Sequence, residues 1–419
     1  MLARFCAYGF LKNQRYFEPF FVLALLEKEL NFFQIGILFS FRELMINLAE
    51  IPSGSIADIY GRRRSMVFSF ISYILSFLIF ATTTQYHTLF AAMLFYATGD
   101  AFRTGTHKAM IFSWLRLQGK EAQRLSYYGF TRSWSKIGSA LSALFSGIFV
   151  YYFKEYTSIF YISCIPYIFN IVNVISYPPE LDGEKPQNIT IKNIYVHTKN
   201  VLFETLKSSY LRHLVLESMG FEGVFNTMKE YLQPVLQALA VGILLHLSFA
   251  QQLTDEQKSV LLVVPVYSLL FLTSAVISRN AYKIISIFGD EDVAAMKSWI
   301  LYAVFSLLVI LAGLTQRLWL VALAFILIYN LQNLWRPFLI SRFDSYSREE
   351  QGATILSIES QSRRIVTMIL APLLGYGVDA IKNAQLHTEY ALVGSLGLLS
   401  SLFFLYINAK RQKQKIIIN

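Results

Sequence analysis

The sequence predicts an all-α integral membrane protein with twelve transmembrane helices in two six-helix bundles, and three observations predict it. Of its 419 residues 55% are hydrophobic and only 15% are charged, whereas soluble domains carry about 25% charge. Twelve apolar runs follow one another across the chain, each near the roughly 20 residues that a helix needs to cross a bilayer. The basic residues outside those runs crowd onto one side of the resulting topology.

The first run, 4–27, carries Lys12, Arg15 and Glu18 at spacing three, neighbours on one helical face. The second, 33–56, sets Glu43, Asn47 and Glu50 on a face that ends at Gly54. The third is 65–84; the fourth, 88–112, holds Asp100, Arg103 and His107 at spacings of three and four, with Lys108 beside them. The fifth, 127–152, brings Arg132 and Lys136, and the sixth, 156–177, closes the first group. The seventh, 210–235, presents Glu222, Asn226 and Glu230 at spacing four, with Glu217 and Lys229 nearby. The eighth and ninth are 259–278 and 296–314; the tenth, 318–340, supplies Asn330, Asn333 and Arg336 before Pro337. The eleventh, 353–380, holds Glu359, Arg363 and Arg364, and the twelfth is 387–408. An ionisable side chain inside a span costs about 2.5–3.5 kcal/mol, so these groups are expected to face partners or a watery cavity.

The longest polar stretch, Pro178 to Asn200, divides the runs six and six. The expected organisation is a bundle at 1–177, a linker at 178–208, a second bundle at 209–408 and a basic tail at 409–419. Basic residues gather at Arg62 to Arg64, Arg116 to Arg124, Lys185 to Arg212 and Lys410 to Lys415, on the side that holds both termini. The positive-inside rule therefore makes both termini cytoplasmic. The halves show internal similarity: at an offset of 228, Lys108 falls on Arg336, Lys120 on Arg348, Gln123 on Gln351, Lys136 on Arg364 and Tyr60-Gly61 on Phe288-Gly289. An offset of 215 puts Pro19 on Pro234 and Arg15 on Glu230. Cys6 and Cys164 both lie in apolar runs, which excludes a disulfide framework and a cysteine metal cluster. No cleaved signal peptide is read at the N-terminus, because Lys12 to Arg15 stand where small residues should. The net charge of +10 is scattered through loops, so nucleic acid is not expected as a partner.

After the second run comes Gly54-Ser55-Ile56-Ala57-Asp58-Ile59-Tyr60-Gly61-Arg62-Arg63-Arg64. This segment resembles the signature of the major facilitator superfamily, and at the second-to-third loop of a six-plus-six protein the resemblance extends to essentially the whole chain. Gly54 suits close approach of helix ends, Gly61 suits a tight turn, and the arginines hold the loop inside. The resemblance implies an alternating-access secondary transporter whose bundles rock around a site near the midplane. It also implies a cytoplasmic latch formed by Gly54, Asp58, Gly61, Arg62 and Arg63.

In that family the first, fourth, seventh and tenth helices line the cavity, which makes Arg15, Glu18, Asp100, Arg103, His107, Asn226, Asn330, Asn333 and Arg336 the candidate substrate contacts. Lys12 and Arg15 can also be read as snorkelling at a helix end, and Asp100–Arg103 as structural neutralisation. Glu18, Glu222 and Glu230 are the candidates for proton coupling, since desolvated carboxylates load and release protons near neutral pH; permanently ionised pairs are the competing reading. For Glu359, Arg363, Arg364, Arg132 and Lys136 the expectation is salt bridges between bundles. Departures from the family pattern narrow the activity. The second-half loop, Phe288-Gly289-Asp290-Glu291-Asp292, inverts the charge, so one latch is expected and not two. The fourth-helix arginine pattern has Phe95 before Gly99 and Ala101 before Gly105, so Arg103 inherits no role by alignment. Gly138 to Gly147 lacks proline, which weakens drug antiport.

Within the spans basic residues outnumber acidic ones, which leans towards an anionic or zwitterionic organic substrate. Gly119-Lys120 lacks the rest of a phosphate-binding loop, and the six histidines show no zinc-hydrolase arrangement. The reading is a proton-coupled transporter, not an enzyme, that works without cofactor or metal as a monomer in a bacterial inner membrane. Its partners are a small-molecule substrate, protons and the lipid bilayer. The alternatives are multidrug efflux and a receptor-like protein that has lost turnover.

Overall fold

A computed structural model describes residues 1–120, 123–182, 203, 205, 207–245, 247–288, 291–346 and 352–418, and among them every regular element is helical. Most of the predicted linker and the repeat positions Gly289, Arg348 and Gln351 lie outside the described residues. Contacts group the chain into two compact units, one of 1–30, 41–194 and 243–272, the other of 31–40, 195–242 and 273–419.

In chain order the helices are α1 (Leu2–Lys12), α2 (Phe21–Glu27), α3 (Phe32–Tyr60), α4 (Arg62–Thr82), α5 (Tyr86–Arg103), α6 (Thr106–Leu117), α7 (Arg124–Phe153) and α8 (Ile159–Ile175). They continue as α9 (Ser209–Ser218), α10 (Val224–Met228), α11 (Leu232–Leu244), α12 (Asp255–Phe288), α13 (Glu291–Leu314), α14 (Leu318–Tyr346), α15 (Gly352–Asn383) and α16 (Glu389–Ile418). Eight of them, α3, α4, α7 and α12 to α16, contain stretches long and apolar enough to cross a membrane. Large apolar side chains stay exposed along them, among them Leu48, Ile148, Val276, Leu373 and Leu399, as a lipid-facing surface requires and a soluble one avoids. The chain is an integral, multi-pass membrane protein.

Three runs that read as single spans are interrupted. The first is α1, a turn through Asn13 to Phe17, a short 3-10 segment and α2. The fourth breaks between α5 and α6, where Thr104 is extended and Gly105 has φ 82°, a backbone region that glycine enters without cost. The seventh passes from α9 through a π-helical turn, Met219–Gly223, into α10, then a 3-10 turn and α11. Apolar periodicity alone does not register such breaks, because the side chains on either side of them remain apolar.

The first unit is held by an aromatic core in which Phe17, Phe77, Phe80, Phe160, Tyr73 and Tyr167 pack mainly edge to face or stacked. Glu27 ties α2 to the start of α8 by accepting from the backbone N–H groups of Tyr156 and Thr157 at 2.8 and 2.9 Å. Gln14 donates to the carbonyl of Gly138 at 3.2 Å, fixing the end of α1 against α7. The second unit centres on Trp299, Trp335, Phe221, Tyr302 and Phe404; Phe221 stacks on Trp335 at 4.4 Å and Trp299 on Phe404 at 4.8 Å. There the Asp379 carboxylate caps the start of α3, accepting from the N–H groups of Phe32 and Phe33 at 3.0 and 2.7 Å.

Candidate functional site

In the first unit the charges of the first and fourth runs meet at their helix breaks. Asp100, one turn before the end of α5, accepts from the Tyr73 hydroxyl at 2.5 Å and from Arg103 Nη2 at 2.8 Å, while Arg103 Nε donates to the Tyr73 oxygen at 3.2 Å. Lys12 and Arg15 lie within electrostatic reach of this triangle and of Glu18. Tyr167 donates to the Lys12 carbonyl at 3.3 Å, which anchors the break between α1 and α2.

Hydroxyl groups satisfy the carbonyl side of the α5–α6 break. Ser69 donates to the Gly99 carbonyl at 2.6 Å, Ser53 to that of Ala101 at 2.9 Å, and Thr106 to that of Phe102 at 3.0 Å. The opposite face of the break is the N-terminus of α6, which no side chain caps. His107 sits in that first turn. Its ring stacks on Tyr8 at 3.5 Å, meets Phe5 edge to face and stands 3.3 Å from the Tyr177 hydroxyl.

These elements enclose a cavity of about 380 Å³ between α1, α6 and α7. Lys12, Arg103, Lys108, Arg132 and Lys136 line it, together with His107 and the hydroxyl residues Tyr128, Thr131, Ser135 and Ser139. Among the described residues that line it there is no carboxylate. Arg132 and Lys136 are expected from the sequence to bridge bundles; among the described residues neither forms an ion pair. Their i, i+4 spacing beside Thr131 and Ser135 is the signal in the sequence that marks them as one polar stripe on α7.

The second unit arranges the same residue types differently. Glu222 accepts from Arg336 at 3.2 Å and from Arg363. Glu359 takes both Nη atoms of Arg336, at 2.7 and 3.1 Å, and the Ser218 hydroxyl. Glu359 and Arg363 thus find partners inside their own unit, where the sequence suggests bridges between bundles, because α9, α14 and α15 bring opposite charges together locally. A second cluster surrounds Glu217, which accepts from Arg342 at 2.6 Å, Trp299 at 3.1 Å and Asn408 at 2.8 Å.

The even spacing of Glu222, Asn226 and Glu230 is lost, since the three fall in a π turn, α10 and a 3-10 turn that advance by different angles per residue. Glu222 is fully buried with its Oε1 unpaired, Asn226 is half-buried, and Glu230 lies 3.8 Å from Lys229. Asn330 and Asn333 on α14 donate back to the carbonyls of Ile326 and Tyr329, leaving the Asn330 Oδ1 buried and unpaired.

In the loop between α3 and α4, Gly61 has φ 101°. Arg63 binds Asp182 through its backbone N–H, Nε and Nη2 at 2.8 to 3.0 Å, and Arg62 donates to Ser113 at 2.8 Å. The side chain of Asp58 lies outside the described residues. Gly54, expected at a close helix approach, is exposed, and a Cβ there would meet no atom within 4 Å.

The Major Facilitator Superfamily model matches residues 1–358. A protein of Bacillus subtilis (strain 168) titled "Uncharacterized MFS-type transporter YxaM" is 25% identical over 231 residues, 53% of this chain and 55% of the relative, so the match spans about half of that relative's length. Among solved structures, the nucleoside transporter NupG aligns at TM-score 0.71 with 12% identity, over 97% of this chain and 96% of that one. A POT family transporter in complex with a thioalcohol-conjugated peptide aligns at 0.68 with 15% identity, over 98% and 96%. A D-xylose-proton symporter aligns at 0.64 with 12% identity, over 96% and 95%. At these identities the structural likeness concerns the fold.

Proposed function

Because the chain belongs to the major facilitator superfamily, we propose that it is a secondary active transporter that moves a small anionic or zwitterionic organic solute by alternating access, coupled to protons. The observation that carries the charge preference is the cavity between α1, α6 and α7, lined among the described residues by five basic side chains and no carboxylate. Favourable binding there comes from charge-assisted hydrogen bonds. Arg103, held by Asp100 and Tyr73, is the preorganised contact of the fourth run; Arg15, Glu18 and His107 are further candidates from the first unit, and Asn226, Asn330, Asn333 and Arg336 are those from the second.

Proton coupling is assigned to Glu222, with Glu18 and Glu230 as further candidates. Glu222 combines full burial, two arginine partners and an unpaired Oε1. The D-xylose-proton symporter among the structural neighbours is consistent with such coupling. The bundles are taken as 1–177 and 209–408 joined by 178–208, in a bacterial inner membrane; the bacterial relative supports the source.

The test is a thermal-stability screen of detergent-purified protein against anionic, zwitterionic and lipophilic cationic solutes at two pH values, since a ligand of the folded state raises its melting point. Stabilisation by anions that changes with pH is expected; stabilisation by lipophilic cations alone would transfer the case to multidrug efflux. The loop at 54–63 is assigned the latch. Asp58→Asn is expected to slow interchange between states more than it weakens binding, and equal binding loss at a normal interchange rate refutes that role.

A further inference from the structure

We propose that the cavity between α1, α6 and α7 takes a small organic dianion, a phosphate monoester or a dicarboxylate; this rests on the anion reading above and narrows it. In the second unit arginines are supplied with carboxylates: Arg336 and Arg363 share Glu222 and Glu359, and Arg342 holds Glu217. Around this cavity the pairing fails. Among the described residues, the side-chain nitrogens of Lys12, Lys108, Arg132 and Lys136 form no ion pair and no hydrogen bond.

Lys108 and Arg132 are exposed, but Lys12 and Lys136 are half-buried, and cations partly withdrawn from water are costly unless a counter-charge joins them. Among the described residues, the acids close enough to serve are few. Asp100 is already shared by Arg103 and Tyr73, and Glu18, on the turn between α1 and α2, reaches Lys12 and Lys136 only through the longer-range field. A monoanion would leave most of the surplus standing, whereas two negative charges on one solute answer lysines and arginines arriving from three helices. The volume of about 380 Å³ lies in the range of small-molecule sites, roughly 300–1,000 Å³. The Ser135 hydroxyl lines it as a neutral donor, while those of Thr131 and Ser139 are spent on their own helix.

The experiment is titration calorimetry on the full chain in detergent, using glycerol 3-phosphate, succinate, lactate, inorganic phosphate and glycerol as probes at fixed ionic strength. Glycerol 3-phosphate or succinate is expected to bind more tightly than lactate. Lys136→Gln and, separately, the exposed Arg132→Gln should each weaken that binding by about tenfold or more, the worth of one hydrogen bond to a charged group, with the melting point of the unliganded protein unchanged. Arg64→Gln, at the exposed start of α4, should leave affinity as it was. Lactate binding as tightly as the dianions and indifferent to both cavity variants overturns the dianion assignment while the anion reading survives. Binding of lipophilic cations only defeats both. Inorganic phosphate matching the ester, or phosphatidic acid in mixed micelles displacing it where soluble esters do not bind, overturns the assignment to an organic solute.

Discussion

The two units spend the same residue types in opposite ways. In the second, the buried carboxylates among the described residues meet arginines: Glu217, Glu222 and Glu359 are each at most 1% exposed, and each accepts from at least one guanidinium. The first also completes pairs, such as Arg63–Asp182 and the acid–base triangle around Asp100, but beside that triangle four cations stand around a cavity where, among the described residues, neither a carboxylate nor a hydrogen bond answers them. A neutralised cluster fixes helices; an unneutralised one is what the proposed anion site requires. At Glu217, which has no assigned part in transport, removal of a balanced member should register as lost stability; at the cavity cations, removal should register as lost binding.

The largest expected effect is at Glu217. Glu217→Ala leaves Arg342, itself 3% exposed, buried without its main partner, and breaking a buried pair from one side costs about 3–5 kcal/mol. The melting point of the detergent-purified variant should fall steeply, whereas replacing both members by apolar residues, Glu217→Leu with Arg342→Met, should restore much of it. A small drop for the single variant would break the contrast between the units. Gly61→Ala comes next. The alanine must hold φ near 101° and its Cβ would stand 3.1 Å from the Asp182 carboxyl carbon; a conformation that only glycine tolerates costs about 1–3 kcal/mol. Chemical denaturation would read that loss, and no loss would mean that the loop rearranges freely. The smallest effect is on the stability of Lys136→Gln, expected within about 0.5 kcal/mol of the parent, as for substitutions away from packed or paired groups. A clear stabilisation would sharpen the comparison, showing that the unbalanced charge strains the first unit.

The fold class was legible because long apolar runs and sparse charge leave few alternatives, and the segment from Gly54 to Arg64 pointed to the family that the matched model assigns. The helix breaks were less so. Gly105 lies within a run read as one span, and the π turn that carries Glu222 has no composition of its own, yet it alters which residues share a face. Arg132 and Lys136 were visible as charges on α7, yet whether a charge has a partner depends on contacts distant in sequence. Glu359 illustrates this: its partner Arg336 is 23 residues away, on another helix.

The interruption at Thr104 and Gly105 has a further consequence. Backbone without a helical partner is tolerated at membrane depth only where protein or water answers it. Here serine and threonine hydroxyls quench the carbonyls of Gly99, Ala101 and Phe102, while the uncapped start of α6 opens beside a polar cavity. The amides of Thr106 to Lys108 should therefore trade hydrogen for deuterium well ahead of the helix interior on either side, so that isotope uptake at three residues becomes a gauge of how far solvent penetrates the first unit and of when a bound solute shuts it out.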